Sequence, residues 1–192
     1  MSGPNCVTTD SSARVGVPIT LNVYQASHRG PNGTVVPGDL ITTVTQTIAV
    51  PFRPGANLAK CPGGQWYDKK TKTCYNGKAF NAVFNLKALK VTVPSDIVLG
   101  VAYNTTNHGY NPIGASACNS TPQGCIYDSL NVGLGTTGVH VGSKPNPGTA
   151  FANSTWAGFY CDGTPATGVF NQDSPTNACW TGYDPAFKVT TS

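Results

Sequence analysis

The chain contains no glutamate. All eight of its acidic residues are aspartates, and charged residues make up only 10% of its 192 positions, against roughly 25% in ordinary soluble domains. Glu and Lys are helix formers, so their scarcity argues against a helical protein. No run of ~18 apolar residues occurs, which excludes a hydrophobic membrane-spanning helix. Met1 is followed by neither a basic stretch nor an apolar one, so no signal peptide is legible. The chain is therefore expected to be a mature or trimmed form, with Met1 an added start or an internal residue. G-x-S-x-G, H-E-x-x-H and P-loop motifs are all missing, and with them the reaction classes they carry. Close C-x₂-C pairs are missing too, which argues against structural zinc. The formal net charge is +4, and the basic residues gather closely only at Lys69, Lys70 and Lys72. A nucleic-acid partner requires a denser basic face, so none is expected.

What replaces the charges is Thr, Asn and Ser, with 22 Gly and 15 Pro. Thr and Val favour strands, while Gly, Pro and Asn favour turns. The expected class is all-β: a single domain over residues 1–192, built as a two-sheet sandwich or jelly roll with long disulfide-stapled loops. Residues 18–24 place Ile19, Leu21 and Val23 at alternate positions, the period of a half-buried strand. Residues 40–52 read as the longest strand, with a bulge expected near Thr45 and Gln46 because Ile41, Val44, Ile48 and Val50 are not strictly alternate. A strand is also expected over 80–89, from Phe80, Ala82, Phe84 and Leu86, and a closing one over 186–190. The stretch 97–134 reads as the organising centre. Its apolar run 97–103 predicts a buried strand, followed by a loop over 104–126 and a half-buried return strand over 128–134.

Seven cysteines in so uncharged a chain point to an oxidising compartment. Six fall into sequence neighbours: Cys61 with Cys74, Cys118 with Cys125, Cys161 with Cys179. Six cysteines allow 15 connectivities, so neighbour pairing is a hypothesis. Each such bridge would bracket a loop and order a segment that has little core of its own. Cys6 is left over, either as a free thiol or bonded to a partner outside the chain.

The aromatic residues gather around these loops. Trp66, Tyr67 and Tyr75 flank the first; Trp156 precedes the third and Trp180 follows it; Tyr103, His108 and Tyr110 belong to the central stretch. Sugars are bound by a flat ring under their C–H face and by amide or carboxylate groups at their hydroxyls, and Asn, Asp and Gln abound here. The same rings would equally serve to pack the ends of a sandwich. His108 is the one residue that invites a catalytic reading, with Ser116 and Asp128 nearest in sequence, but no assembled set of nucleophile, base and orienting group is legible. A hydrolase is thus a distant option, and no catalytic residue is assigned. No metal site is expected. Calcium, held by Asp162, Asp173 or Asp184 with loop carbonyls, lacks the D-x-[DN]-x-[DN]-G pattern. Sequons begin at Asn32, Asn104, Asn119 and Asn153, as suits surface loops.

Several runs carry a resemblance. Pro18-Ile19-Thr20-Leu21-Asn22-Val23-Tyr24, residues 41–47 leading into Val50-Pro51-Phe52-Arg53-Pro54, residues 100–105, and Tyr127-Asp128-Ser129-Leu130-Asn131-Val132-Gly133 resemble exported bacterial β-sandwich proteins of the actinobacterial type. That resemblance implies a secreted or surface location, a jelly-roll fold and no assigned activity. It also implies an N-terminal strand, with a further cysteine for Cys6, that this chain lacks. The expected function is that of an extracellular, non-catalytic module that binds a carbohydrate or other surface polymer through its aromatic loops. The alternative is a structural subunit that self-associates through strand edges or Cys6.

Overall fold

A computed structural model of the chain describes residues 14–27, 35–51, 54–103, 130–135, 150–153, 169–172 and 184–190. About half of these residues lie in strands, arranged in several antiparallel sheets, and there is no α-helix among them. The strands are β1 (Arg14–Ser27), β2 (Val36–Pro51), β3 (Trp66–Asp68), β4 (Thr73–Tyr75), β5 (Ile97–Tyr103), β6 (Leu134–Gly135), β7 (Phe151–Ala152), β8 (Asn171–Gln172) and β9 (Asp184–Pro185). One sheet has the order β2-β1-β5, and three two-stranded ladders pair β3 with β4, β6 with β9 and β7 with β8. The chain divides into two compact units. One comprises Met1–Val23, Ile41–Thr92 and Leu99–Asn131; the other comprises Tyr24–Leu40, Val93–Val98 and Val132–Ser192.

β1 is the middle strand, and its alternation explains why. Val17, Ile19, Leu21 and Val23 are all buried, while Pro18 between them is exposed and Thr20 and Asn22 are half-buried. Successive side chains of a strand point to opposite faces, so one face of β1 is apolar from Val17 to Val23. A strand flanked on both sides hides that face most completely. Gly16 lies against Thr47, and Gly38 against Gln25 and Ser27, so β1 and β2 run antiparallel. On the outer face the Thr20 and Thr45 hydroxyls meet at 2.7 Å. Gly38 is required by close approach: a Cβ there would stand 2.9 Å from the Gln25 carbonyl oxygen.

In the first unit, Val17, Ile19, Val50 and Leu130 form the core cluster, with Ile48, Phe80, Phe84 and Tyr103 packed against it. In the second, the Tyr24 and Phe170 rings meet edge to face at 5.6 Å. There the Ala26 N–H donates to the Asp96 carbonyl, and the Ala186 N–H to that of Gly133.

Several expectations need correction. Of the expected organising stretch 97–134, residues 104–129 lie outside the described residues, and its apolar run is 97–103. That run does form β5, but it lies at an edge of its sheet and is half-buried rather than buried. Burial on β2 alternates without interruption from Thr42 to Val50, so its pattern passes through Thr45 and Gln46 without the expected bulge. Residues 80–89 are not a strand. The Asn85 side chain accepts the Lys87 N–H at 3.0 Å, a 3₁₀ turn follows at Lys87–Leu89, and Lys90 closes it in the left-handed region at φ 48°. An Asn side chain offered to the backbone in this way competes with a ladder. Phe80 and Phe84 reach the core without one. Of the expected return strand 128–134, residues 128 and 129 lie outside the described residues, and of residues 130–134 only Leu134 enters a strand, although Leu130 is buried. The closing pair is Asp184–Pro185 rather than 186–190.

The core assignment predicts a sharp contrast. Val50→Ala removes a side chain that is 1% exposed, whereas Val83→Ala trims one that is 73% exposed. Chemical denaturation is expected to register a loss of about 2 kcal/mol for the first and under about 0.5 kcal/mol for the second.

Candidate functional site

The aromatic residues of the first stapled loop stand on a small hairpin spanning residues 57–78. Its frame begins at Asn57, whose carbonyl accepts the Cys61 N–H at 2.7 Å and the Lys60 N–H at 3.2 Å, while its own N–H donates to Gln65. A turn over residues 61–64 follows, closed by the Gly64 N–H on the Cys61 carbonyl. Gly64 has φ +78°, a conformation that glycine adopts without strain. β3 and β4 then pair as Trp66 with Tyr75, Tyr67 with Cys74, and Asp68 with Thr73.

The connecting turn is built on Asp68, whose Oδ1 accepts the backbone N–H groups of Lys70 at 2.7 Å and Thr71 at 3.4 Å. This is the Asx-turn use of a short acidic side chain. Lys72 closes the turn at φ 56°. The sequence concealed this hairpin for a physical reason. Its strands are three residues long, and the left-handed position carries Lys instead of the Gly or Asn that usually marks it.

Strand alternation sorts the side chains onto two faces. Trp66 and Tyr75 lie across from one another on one face, their ring centroids 5.5 Å apart. The Trp66 Nε1–H donates to the Gly77 carbonyl at 2.8 Å, and the Lys78 ammonium lies 5.9 Å from the Trp66 ring centre. Tyr67 and Cys74 take the other face. The Lys60 ammonium sits 4.3 Å over the Tyr67 ring, close enough for a cation–π attraction. Cys74 is bonded to Cys61, with their Cα atoms 5.8 Å apart, and Cys61 is fully buried. Trp66, Tyr67 and Tyr75 therefore do not form one platform. Trp66 and Tyr75 make a pair, and Tyr67 backs the disulfide.

Tyr75 is 39% exposed and Trp66 partly so, which leaves ring surface open beside the hydrogen-bonding edge of the hairpin. Tyr103 is half-buried at the end of β5 and packs against the core cluster. His108, Tyr110, Trp156 and Trp180 lie outside the described residues, as do Cys6, Cys118, Cys125, Cys161 and Cys179, and Asp162 and Asp173. Asp184 lies in β9. Among the described residues no group of three or more His, Cys, Asp or Glu side chains is placed to hold a metal ion, and no helix is long and apolar enough to cross a membrane.

Neither a scan of protein-family models nor searches of curated proteins and of solved structures find a match to this chain.

The hairpin also holds a concentration of charge that the overall count conceals. Residues 57–78 contain Lys60, Lys69, Lys70, Lys72 and Lys78 against Asp68 alone. Their net +4 equals that of the whole chain, and the remaining seven basic and seven acidic residues balance. Asp68 is occupied by backbone N–H groups. Among the described residues none of the five lysines is ion-paired.

A two-stranded ladder this short is marginal in water on its own. Closing a loop with a sequence separation of 13 is worth about 3 kcal/mol in the chain-entropy account. The double variant Cys61→Ala/Cys74→Ala is therefore expected to lose the near-ultraviolet circular dichroism of the Trp66–Tyr75 pair while the far-ultraviolet strand signal persists. A near-ultraviolet spectrum unchanged from the wild type would contradict the staple's role.

Proposed function

We propose that the chain is an extracellular, non-catalytic module of the β-sandwich class that binds a carbohydrate polymer through the hairpin of residues 57–78. The observation that carries this reading is the Trp66–Tyr75 pair. Two rings 5.5 Å apart stand on one face of a disulfide-stapled hairpin, with Tyr75 39% exposed. Partly exposed rings held in one orientation offer contact area at a small entropic cost, because their ordering is complete before the ligand arrives. The C–H face of a sugar ring suits such a surface, and the Lys78 ammonium beside Trp66 supplies a polar group next to it.

The disulfide supports the oxidising, extracellular location. The buried, strictly alternating face of β1 supports a sheet packed on one side, as a sandwich requires.

Affinity electrophoresis in gels containing soluble neutral and acidic polysaccharides tests the reading. The wild type is expected to be retarded by at least one polymer. Tyr75→Ala is expected to weaken that retardation about tenfold, an effect of the size that losing an exposed aromatic contact produces. Tyr24→Ala, which alters a ring in the other compact unit, is expected to leave it unchanged. Equal retardation of wild type and Tyr75→Ala would reject the hairpin as the binding element.

A further inference from the structure

The placement of charge narrows the class of ligand. We infer that the hairpin takes an anionic polysaccharide, one whose sugar rings carry carboxylates, and this inference rests on the carbohydrate reading above. Lys69, Lys70 and Lys72 crowd the turn between β3 and β4, and Lys78 stands beside Trp66 on the face that bears Tyr75. Cationic groups thus mark the turn end of the hairpin and flank its aromatic pair. Lys60 lies over Tyr67, on the opposite face.

The one acidic side chain of the hairpin, Asp68, caps the turn through its Oδ1, and its single charge leaves the hairpin at net +4. The turn is also a fixed object: Asp68 caps it, Lys72 holds the left-handed position, and the Thr73 hydroxyl donates to the Thr71 carbonyl at 3.1 Å. Charges mounted on an ordered turn keep their spacing, which is what recognition of a repeating polymer needs.

The extent of the cluster favours a carboxylated sugar polymer over a nucleic acid. It is confined to one small hairpin, whereas the rest of the chain carries no net charge; a duplex is usually held by a broad basic face. Alternating anionic and C–H surfaces, as along a uronate chain, match lysines set beside paired rings.

The test uses the intact, oxidised protein and two forms of one backbone: polygalacturonate, and the same polymer with its carboxylates methyl-esterified. Binding is followed by isothermal titration calorimetry. Polygalacturonate is expected to bind and the ester to bind at least tenfold more weakly. Affinity for polygalacturonate is expected to fall as the screening length shrinks from about 10 Å to about 3 Å with added salt. Lys69→Gln/Lys70→Gln/Lys72→Gln is expected to lose about tenfold in affinity. Lys87→Gln/Lys90→Gln/Lys188→Gln removes the same charge from positions outside the hairpin and is expected to bind as the wild type does. Equal binding of ester and acid would overturn the anionic inference while leaving the carbohydrate reading in place. Equal loss in both triple variants would also overturn it, since the effect would then follow net charge alone. A short DNA duplex that binds as tightly as polygalacturonate, with the same salt dependence, would overturn it in favour of an unspecific polyanion site. Binding to neither polymer would overturn it, and the neutral polysaccharides of the electrophoresis experiment would then decide the broader reading.

Discussion

The bond between Cys61 and Cys74 is the constraint on which the proposed binding element depends. One of its sulfurs belongs to a fully buried residue, held by the Asn57 carbonyl; the other sits on a strand of only three residues. The bond passes order from the buried position to the half-buried one. Without it, Trp66 and Tyr75 would be two rings on a ladder too short to persist. With it, their contact and the Trp66 Nε1–H bond to Gly77 become local refinements of a shape already set.

The three-stranded sheet is stabilised by different means. β1 buries Val17, Ile19, Leu21 and Val23 along one face, and each buried side chain of this kind contributes roughly 1.5–3 kcal/mol. The sheet is therefore held by apolar burial, whereas the hairpin is held by a covalent link and backbone hydrogen bonds. That division has a functional consequence. A surface that does not rely on apolar burial can carry whatever side chains a ligand requires, and here it carries the whole net charge of the chain.

How far the sequence foretold this depends on the kind of signal. β1 and β5 were legible because Ile19, Leu21 and Val23 alternate cleanly and the run 97–103 is apolar between turn residues. The pairing of Cys61 with Cys74 was legible from their proximity in sequence. Residues 80–89 misled because Phe80 and Phe84 reach the core at strand-like spacing, while Asn85 quietly starts a turn. The relation among Trp66, Tyr67 and Tyr75 was not legible at all. Which rings share a face is set by the register Trp66 with Tyr75, and that register depends on a turn whose left-handed residue is a lysine. The charge of the hairpin was present in the sequence, but a chain-wide sum of +4 does not reveal that one segment holds all of it.

The most direct measurement is a map of backbone and indole amide shifts by nitrogen–proton correlation spectroscopy as polygalacturonate oligosaccharides are added to the oxidised protein. The account predicts that the Trp66 indole N–H, the Tyr75 amide and the amides of residues 69–72 move together along one saturation curve, while those of β1 stay in place. Saturable shifts that leave these hairpin signals unmoved and gather elsewhere in the chain would contradict it.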